Sequence, residues 1–325
     1  MTLSRRNLLG AALALPVLGS LAACGNDDEA AAAAGGRKKV RLTYGAISVP
    51  KTRGVFEKTL NDQGIDIEWV GPFPNHAPTL QAVATNTADF SFGGSSTPAD
   101  QALLSGNKLV YVAWSTSKPR TSAIIVRPQS GINSVKDLAG KNVAVNKAGL
   151  GEFLLVAALE KYGVARDSVT FTYLNPPDAA PAFGSGKVDA WSIWSGPLEL
   201  AQVNYQAKSI FVDGDELDKQ IDFGTYLVRE EYAKKEADTI RKVIAAYKAE
   251  QDWVNANQAE AQKIGNEVSK YPQGVVDKLI GNNVQTTWSL INDDGIAQLQ
   301  SGADWLTDHK VLSGKINIAD HAVKL

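Results

Sequence analysis

The feature that most constrains the fold of this chain is an alternation of short apolar strands and helical segments, which runs from Val40 to about residue 120 and then begins again. Such alternation predicts an α/β fold with mixed, mostly parallel sheets flanked by helices. The two halves contain similar runs, DFSFGGSSTP at residues 89–98 and DAWSIWSGP at residues 189–197. About 290 residues remain after the N-terminal segment, more than one core usually holds, so the sequence predicts two lobes.

The order of the segments predicts how the chain divides between the lobes. After DFGTYLVREEY at residues 222–232 the chain is almost wholly helical, and these helices need a sheet to cover. We expect residues 37–120 and 223–325 to form lobe 1 and residues 121–222 to form lobe 2. Two crossing strands, SAIIVRP and DFGTYLVREEY, would then connect the lobes as a hinge.

Residues 1–23 have the pattern of an export signal. Arg5 and Arg6 precede an apolar run that ends in LAAC, and paired arginines are typical of twin-arginine routes. LAAC resembles the lipobox of bacterial lipoproteins, in which the cysteine, here Cys24, is diacylated and anchors the protein to the membrane. A general secretory signal with a chance cysteine is the alternative; a transmembrane helix is disfavoured because the run is shorter than ~20 residues. Residues 24–36, small and acidic, are expected to form a flexible tether.

Charge and cysteine content exclude several classes of function. Without residues 1–23, 31 basic and 35 acidic residues remain, a net charge of −4, which argues against a nucleic-acid partner. Cys24 is the only cysteine, so the folded part has no disulfide, thiolate nucleophile or cysteine metal site. The three histidines are scattered, and no cofactor or metal is expected.

The loops that follow the predicted strands are the candidate binding residues. Ligands of open parallel sheets bind beyond the carboxyl ends of the strands, where helix N-termini present unpaired N–H groups. Ser95, Ser96 and Thr97 follow two glycines at the start of a predicted helix and indicate a cradle for an anion. Simple capping of that helix by Ser96 or Thr97 is the alternative. Asn146 and Lys147 open a similar loop in the second half, where Lys147 would add a positive charge.

Aromatic and imidazole side chains complete the candidate site. Trp191 and Trp194 lie three positions apart on one strand and should point to opposite faces, so we expect Trp191 in the core and Trp194 at the wall of an apolar pocket. Ser195 follows Trp194 in the same loop, and Tyr44 has a similar position at the end of the first strand. His76 lies on a polar turn, where a solvated surface residue is the first expectation and a ligand contact the alternative.

Longer runs in the sequence resemble a known family. LVYVAW, the segment SVKDLAGKNVAVNKAGLGEFLLVAALEKYGV and the pattern D-A-W-x-I-W occur in the order found in solute-binding proteins of ABC importers for aliphatic sulfonates, taurine and nitrate. The resemblance implies a periplasmic-binding-protein fold of the second type, whose two lobes close over a ligand and deliver it to a permease. It also implies that Ser95, Ser96, Gly149 and Leu150 hold the sulfonate and that the organic tail lies against Trp194.

Two departures from the family pattern bear on the ligand. Many relatives carry Asp-Pro after the tryptophan, where this chain has SGP at residues 195–197, and the missing aspartate weakens the case for taurine. The turn NHAP at residues 75–78 is less rich in glycine and proline than is usual. The sequence therefore predicts a monomeric, lipid-anchored binding protein for a small organic anion; an enzyme of this fold that acts on a vitamin precursor and a sensory binding protein are the alternatives.

Overall fold

The computed structural model describes residues 36–45 and 48–325. The predicted export signal, Cys24 and most of the predicted tether lie outside the described residues. Within the described part, no helical segment combines the length and the hydrophobicity that a membrane crossing requires.

The described chain alternates between strands and helices, as its pattern predicts. The strands are β1 (Lys38–Gly45), β2 (Ile65–Phe73), β3 (Gly94–Ser95), β4 (Leu109–Lys118), β5 (Ala123–Val126), β6 (Asn142–Val145), β7 (Thr170–Tyr173), β8 (Ala190–Ile193), β9 (Lys208–Val212), β10 (Gly224–Arg229) and β11 (Gln285–Leu290). The helices are α1 (Val49–Arg53), α2 (Val55–Asn61), α3 (His76–Ala84), α4 (Ser96–Leu104), α5 (Leu150–Lys161), α6 (Pro176–Ser185), α7 (Pro197–Asn204), α8 (Asp213–Glu216), α9 (Glu230–Lys235), α10 (Ala237–Ala256), α11 (Gln258–Ser269), α12 (Gln273–Asn282) and α13 (Asp293–Asp308).

The described strands form three sheets. β1 and β2 make a parallel pair, a four-stranded sheet has the order β11-β4-β10-β3, and a five-stranded sheet has the order β7-β6-β8-β5-β9. The α/β class is confirmed, but the expectation of mostly parallel sheets is wrong. Five of the eight pairings between described strands are antiparallel, because β5 and β10 each run opposite to both of their neighbours and β11 runs opposite to β4.

Strand pairing separates the chain into two sets. Among the described strands, those before residue 119 and after residue 223 pair with one another, and those between residues 123 and 212 pair among themselves. The chain passes between the sets twice, at residues 119–122 and 213–223. The exact lobe boundaries, 120/121 and 222/223, remain a prediction.

Two segments differ from what their sequence patterns predict. The pattern of KTRGVFEKTLNDQG predicts one helix, but the segment forms α1 and α2, because Gly54 between them has a φ of +74°, a left-handed conformation that interrupts a helix. The pattern of ADFSFGG predicts a strand, but the segment makes only a bridge from Phe90 to Leu42 before the two residues of β3. Here the backbone N–H of Ser91 donates to the carbonyl of Leu227 instead of continuing one ladder.

Strand β4 and helix α5 are rigid, buried elements. Its residues from Leu109 to Ser115 are all buried, as the nearly continuous apolar run predicts. Apolar residues of α5 pack on β6 and β8 in the same way, with Leu154 and Leu155 fully buried. The loops at the ends of these strands are therefore held by rigid elements.

Candidate functional site

A cleft of about 1170 Å³ lies where four predicted loops converge. Its wall is formed by the segments after β2, before and within β3, after β6 and after β8, at the strand ends where the sequence places the ligand. Seven of the eleven candidate contacts line it: His76, Ser95, Asn146, Lys147, Leu150, Trp194 and Ser195. Aromatic and aliphatic side chains from both sets of strands also line it, among them Phe73, Phe92, Phe153 and Leu200.

The remaining four candidates are not on the wall. Ser96 and Thr97 are fully buried behind it, and Gly149 caps the N-terminus of α5. Tyr44 packs edge-on against Trp69, with 6.0 Å between the ring centroids, and the ammonium group of Lys51 lies 4.8 Å from its ring. The part that these residues take in binding remains a prediction.

The hydroxyls of the predicted anion cradle hold a carboxylate of the chain itself. Asp222 Oδ1 accepts hydrogen bonds from Ser95 Oγ at 2.6 Å, Thr97 Oγ1 at 2.7 Å and the Thr97 backbone N at 2.9 Å, with Ser96 Oγ at 3.3 Å. Asp222 thus caps α4 and takes up the partial positive charge at its N-terminus. The place expected for a ligand anion is occupied by an internal one.

Sequence reasoning missed Asp222 because no local pattern marks it. It precedes β10, whose Gly224 pairs antiparallel with Ser95 of β3. That pairing brings together residues 125 to 127 positions apart in the chain. The only signal available was an acidic residue at the start of a predicted crossing strand.

His76 is buried, so the expectation of a solvated surface residue is wrong. The residue is only 3% exposed. Its side chain packs so closely on Gly94 that a Cβ at that position would lie 2.4 Å from the imidazole Cγ. Nδ1 lies 2.8 Å from the carbonyl oxygen of Ser95. A carbonyl only accepts, so Nδ1 carries the proton and Nε2 is an acceptor, which has no partner in the described part of the chain. Burial lowers the pKa of His76 to about 4, which keeps the ring neutral at neutral pH.

The opposite wall is built around Asn146. Its Oδ1 accepts from the backbone N of Gly151 at 2.8 Å, and a Cβ on Gly149 would lie 1.8 Å from its Nδ2, so the loop requires glycine there. The neighbouring Lys147 is exposed, and its ammonium group lies 5.7 Å from the centroid of the Tyr173 ring. It forms no ion pair with any described residue, so its charge is available to a ligand.

Trp191 is 1% exposed in the core, and Trp194 is half-buried on the wall of the cleft. Both line the cleft and pack in one apolar cluster, and Trp194 follows the last residue of β8, so the alternation along the strand does not set its direction. Beside it the Ser195 hydroxyl donates to Glu199, whose two carboxylate oxygens both lie 3.3 Å away. Glu199 also accepts from the backbone N of Gly196 and from Asn282, so its charge is fixed at the start of α7.

Charged groups that the sequence did not single out also line the cleft. Arg120 donates to Asp213, with 3.1 Å between Nε and Oδ1, and both line the wall near Asp222. Burial raises the pKa of Asp213, an effect that the arginine opposes. In the described part of the chain, no three His, Cys, Asp or Glu side chains are grouped as a metal site.

A side-chain hydrogen bond crosses the mouth of the cleft. Asn75 caps α3 and Asn175 precedes the first turn of α6, and the amide Nδ2 of Asn75 donates to Oδ1 of Asn175 at 2.8 Å. It joins the two sets of strands directly at the rim.

Comparison with known proteins gives a consistent picture. The family described as NMT1/THI5 like matches residues 47–261. A protein of Bacillus subtilis (strain 168), named an aliphatic sulfonates-binding protein, is 29% identical over 315 residues, which cover 96% of this chain and 93% of that protein.

Solved structures share the fold. The alkanesulfonate-binding protein SsuA from Xanthomonas axonopodis pv. citri, bound to MOPS, superposes with a TM-score of 0.80 at 24% identity, covering 88% of this chain and 98% of that one. The periplasmic aliphatic sulphonate binding protein SsuA from Escherichia coli superposes with a TM-score of 0.75 at 26% identity, covering 87% and 96%. The two-lobed periplasmic-binding-protein type of fold is thereby confirmed. The desulfurization enzyme DSZB also shares it, at 15% identity and a TM-score of 0.65 over 88% of this chain and 96% of that one.

Proposed function

Since the chain belongs to the NMT1/THI5-like family, we propose that it is the substrate-binding subunit of an ABC importer and that it captures a small organic anion of the sulfonate class. The observation that carries the proposal is a cleft in which the predicted loops of both halves meet, with largely apolar walls and with Lys147, which forms no ion pair with any described residue. The names of the relatives, aliphatic sulfonate-binding proteins, support the choice of ligand class.

A sulfonate suits the chemistry of this cleft. It stays a monoanion at any physiological pH, so fixed dipoles and one lysine hold it without a titrating partner. Asn146, Lys147 and the first N–H groups of α5 would bind the anionic group. Trp194 and the phenylalanines of the wall would pack against the organic part, since apolar surface is favourable to bury.

We infer a binding protein rather than an enzyme. The hydroxyls of Ser95 and Ser195 on the wall donate to carboxylates, Asp222 and Glu199, and neither hydroxyl is hydrogen-bonded to a histidine that would act as a base. His76 is held neutral with its proton on the nitrogen that faces a carbonyl. The named sulfonate-binding relatives agree with this assignment.

The N-terminal pattern completes the proposal. We infer that the protein is exported, loses residues 1–23 and is held at the outer face of the cell membrane by lipid on Cys24. It would act as a monomer that passes its ligand to the permease and ATPase subunits of the importer. Labelling with a radioactive fatty acid tests the anchor: Cys24→Ser should abolish incorporation, and labelling of that variant would contradict the assignment.

A thermal-shift screen tests the ligand class. Alkyl and aryl sulfonates, taurine, sulfate, nitrate and thiamine precursors would be added to the protein without residues 1–23. A ligand at ~100 times its Kd should add about 2.7 kcal/mol to the free energy of unfolding, a clear rise in Tm. A rise with sulfonates and none with thiamine precursors supports the proposal; a rise only with neutral compounds or simple cations overturns it.

A further inference from the structure

Asp222 presents to the cleft a carboxyl group that pairs with no cation in the described part of the chain. Its Oδ1 is held by the hydroxyls of Ser95, Ser96 and Thr97. Its Oδ2 has no hydrogen-bond donor among the described residues, and no described lysine, arginine or histidine pairs with the carboxylate. Because Asp222 lines the cleft, the unfilled oxygen belongs to the binding surface.

No charged group around Asp222 compensates its carboxylate. Arg120 lies on the same wall, but its guanidinium group already pairs with Asp213. Asp100, one turn into α4, is buried behind the cradle. Asp222 itself contributes to the raised pKa of Asp100 and Asp213, which shows that the three acids interact.

The second unfilled group in this corner is also an acceptor. His76 is 97% buried in the wall beside Ser95, and its Nε2 has no partner in the described part of the chain. The proton on Nδ1 is fixed by the Ser95 carbonyl, so Nε2 is able only to accept. A buried acceptor without a donor costs free energy, which a ligand that donates a hydrogen bond would recover.

The opposite wall has the reverse polarity. Lys147 is unpaired there, and the start of α5 adds N–H groups. The cleft therefore has acceptors on one wall and donors on the other. A ligand whose only polar group is an anion would bind the donors of one wall but leave the acceptors of the other wall without a donor, and its negative charge would lie close to Asp222.

We propose that Asp222 binds a protonated amine of the ligand, so that the natural ligand is a sulfonate that also carries an ammonium group. The proposal rests on the proposed function and adds the orientation: sulfonate toward Lys147, amine toward Asp222 and His76. The missing aspartate after Trp194 weakened the case for an aminosulfonate such as taurine. Asp222, in the segment before β10, supplies the acidic group instead. Burial raises the pKa of Asp222, and an ammonium group at Oδ2 would favour its ionised form.

Matched ligand pairs test the proposal. Taurine against ethanesulfonate, and homotaurine against propanesulfonate, differ only by the amino group, and their affinities would be measured by isothermal titration calorimetry. The wild-type protein should bind the amino member of each pair at least about tenfold more tightly, as for a close charge pair shielded from water. Equal affinities, tighter binding of the amine-free members, or no binding of either amino member would overturn the proposal.

The variant Asp222→Asn tests the charge of the carboxylate while the size of the side chain stays nearly the same. Asparagine keeps an oxygen for the three cradle residues but loses the charge, so the preference for the amino member should disappear while the amine-free member binds as well or better. Asp178→Asn, which removes an exposed carboxylate on α6, is the matched control and should keep the preference. Unchanged preference in Asp222→Asn would overturn the proposal, and far-ultraviolet circular dichroism would check the fold.

The two proposals fail in different ways. If the wild-type protein binds amine-free sulfonates tightly and ignores the amino group, the role of Asp222 is wrong and the proposed function stands. If no sulfonate binds and another class of compound does, both are wrong.

Discussion

At the scale of single residues, Asp100 is an acid whose surroundings strongly shift its pKa. It is fully buried on α4, and the Tyr111 hydroxyl donates to its Oδ1 at 2.6 Å. Burial raises its pKa to about 8, the tyrosine opposes this shift, and the charge of Asp222 adds to it. The buried carboxyl is therefore protonated through much of the physiological range.

This environment predicts how stability depends on pH. The ordinary pKa is 3.8, so the folded state keeps the proton to a higher pH than the unfolded chain, and the stabilisation is complete below about pH 4 and lost as the pH rises toward 8. The free energy of unfolding should fall by up to ~1.4 kcal/mol per pH unit in that window. Asp100→Asn, which still accepts from Tyr111, should flatten the dependence. Urea denaturation from pH 4 to pH 8 would measure it, and equal slopes for both proteins would refute the prediction.

Lys147 is the residue whose charge should govern association. It is exposed and unpaired within the described chain, so it would attract an anionic ligand before contact. Lys147→Met should slow association about threefold to tenfold at low salt, with a smaller loss at high salt because salt screens exposed charges. Stopped-flow tryptophan fluorescence would follow the rate. Lys136→Ala, which removes an exposed lysine from a short 3₁₀ helix, is the control, and a rate independent of salt in the wild type would contradict the prediction.

At the scale of secondary-structure elements, two glycines at which an added side chain would have no close neighbours differ in backbone conformation. Gly54 ends α1 with a φ of +74°, which other residues adopt at a cost, whereas Gly281 lies within α12 and has no left-handed φ. A Cβ at either position would meet no atom within 4 Å, so backbone conformation alone decides the effect.

The two alanine substitutions should therefore have opposite signs. Gly54→Ala should lower the free energy of unfolding by about 1 kcal/mol, because alanine is strained at positive φ. Gly281→Ala should raise it by about 0.5–1 kcal/mol, because it removes flexibility of the unfolded chain within a helix. Chemical denaturation of both variants would measure the difference. A shift of the same sign in both would show that contacts, not φ, govern these sites.

At the scale of the whole folded unit, the contact between Asn75 and Asn175 joins the two rims of the cleft. Asn75 also accepts from the backbone N of Ala77 and caps α3, whereas the side chain of Asn175 makes no capping hydrogen bond. Asn175 is therefore the position at which the contact across the cleft can be removed without harm to a helix.

Loss of this contact should speed ligand release. A hydrogen bond of this kind contributes about 0.5–1.5 kcal/mol, so Asn175→Ala should raise the dissociation rate about twofold to tenfold while the association rate changes little. Surface plasmon resonance or stopped-flow displacement would measure both rates. Asn133→Ala, whose side chain bonds only to Gly131 in its own loop, is the control. An unchanged dissociation rate would mean that the rim contact does not hold the closed cleft.

Local sequence determined much of this molecule. The alternation of strands and helices gave the α/β class, and the loops at strand ends gave the position of the cleft. The apolar pattern of its strand also predicted the burial of Trp191, because alternation along a strand depends only on neighbouring residues. The exact boundaries of the two lobes remain a prediction. The predicted N-terminal export signal lies outside the described residues.

Tertiary structure decided the polarity of the site. Ser95, Ser96 and Thr97 suggested an anion cradle, and which anion fills it depends on Asp222, which reaches them only through the pairing of β10 with β3. The burial of His76 depends likewise on Gly94 packing against its ring. Hydrogen bonds and desolvation act over a few ångströms between residues far apart in the chain, and a sequence pattern records only the neighbours along it.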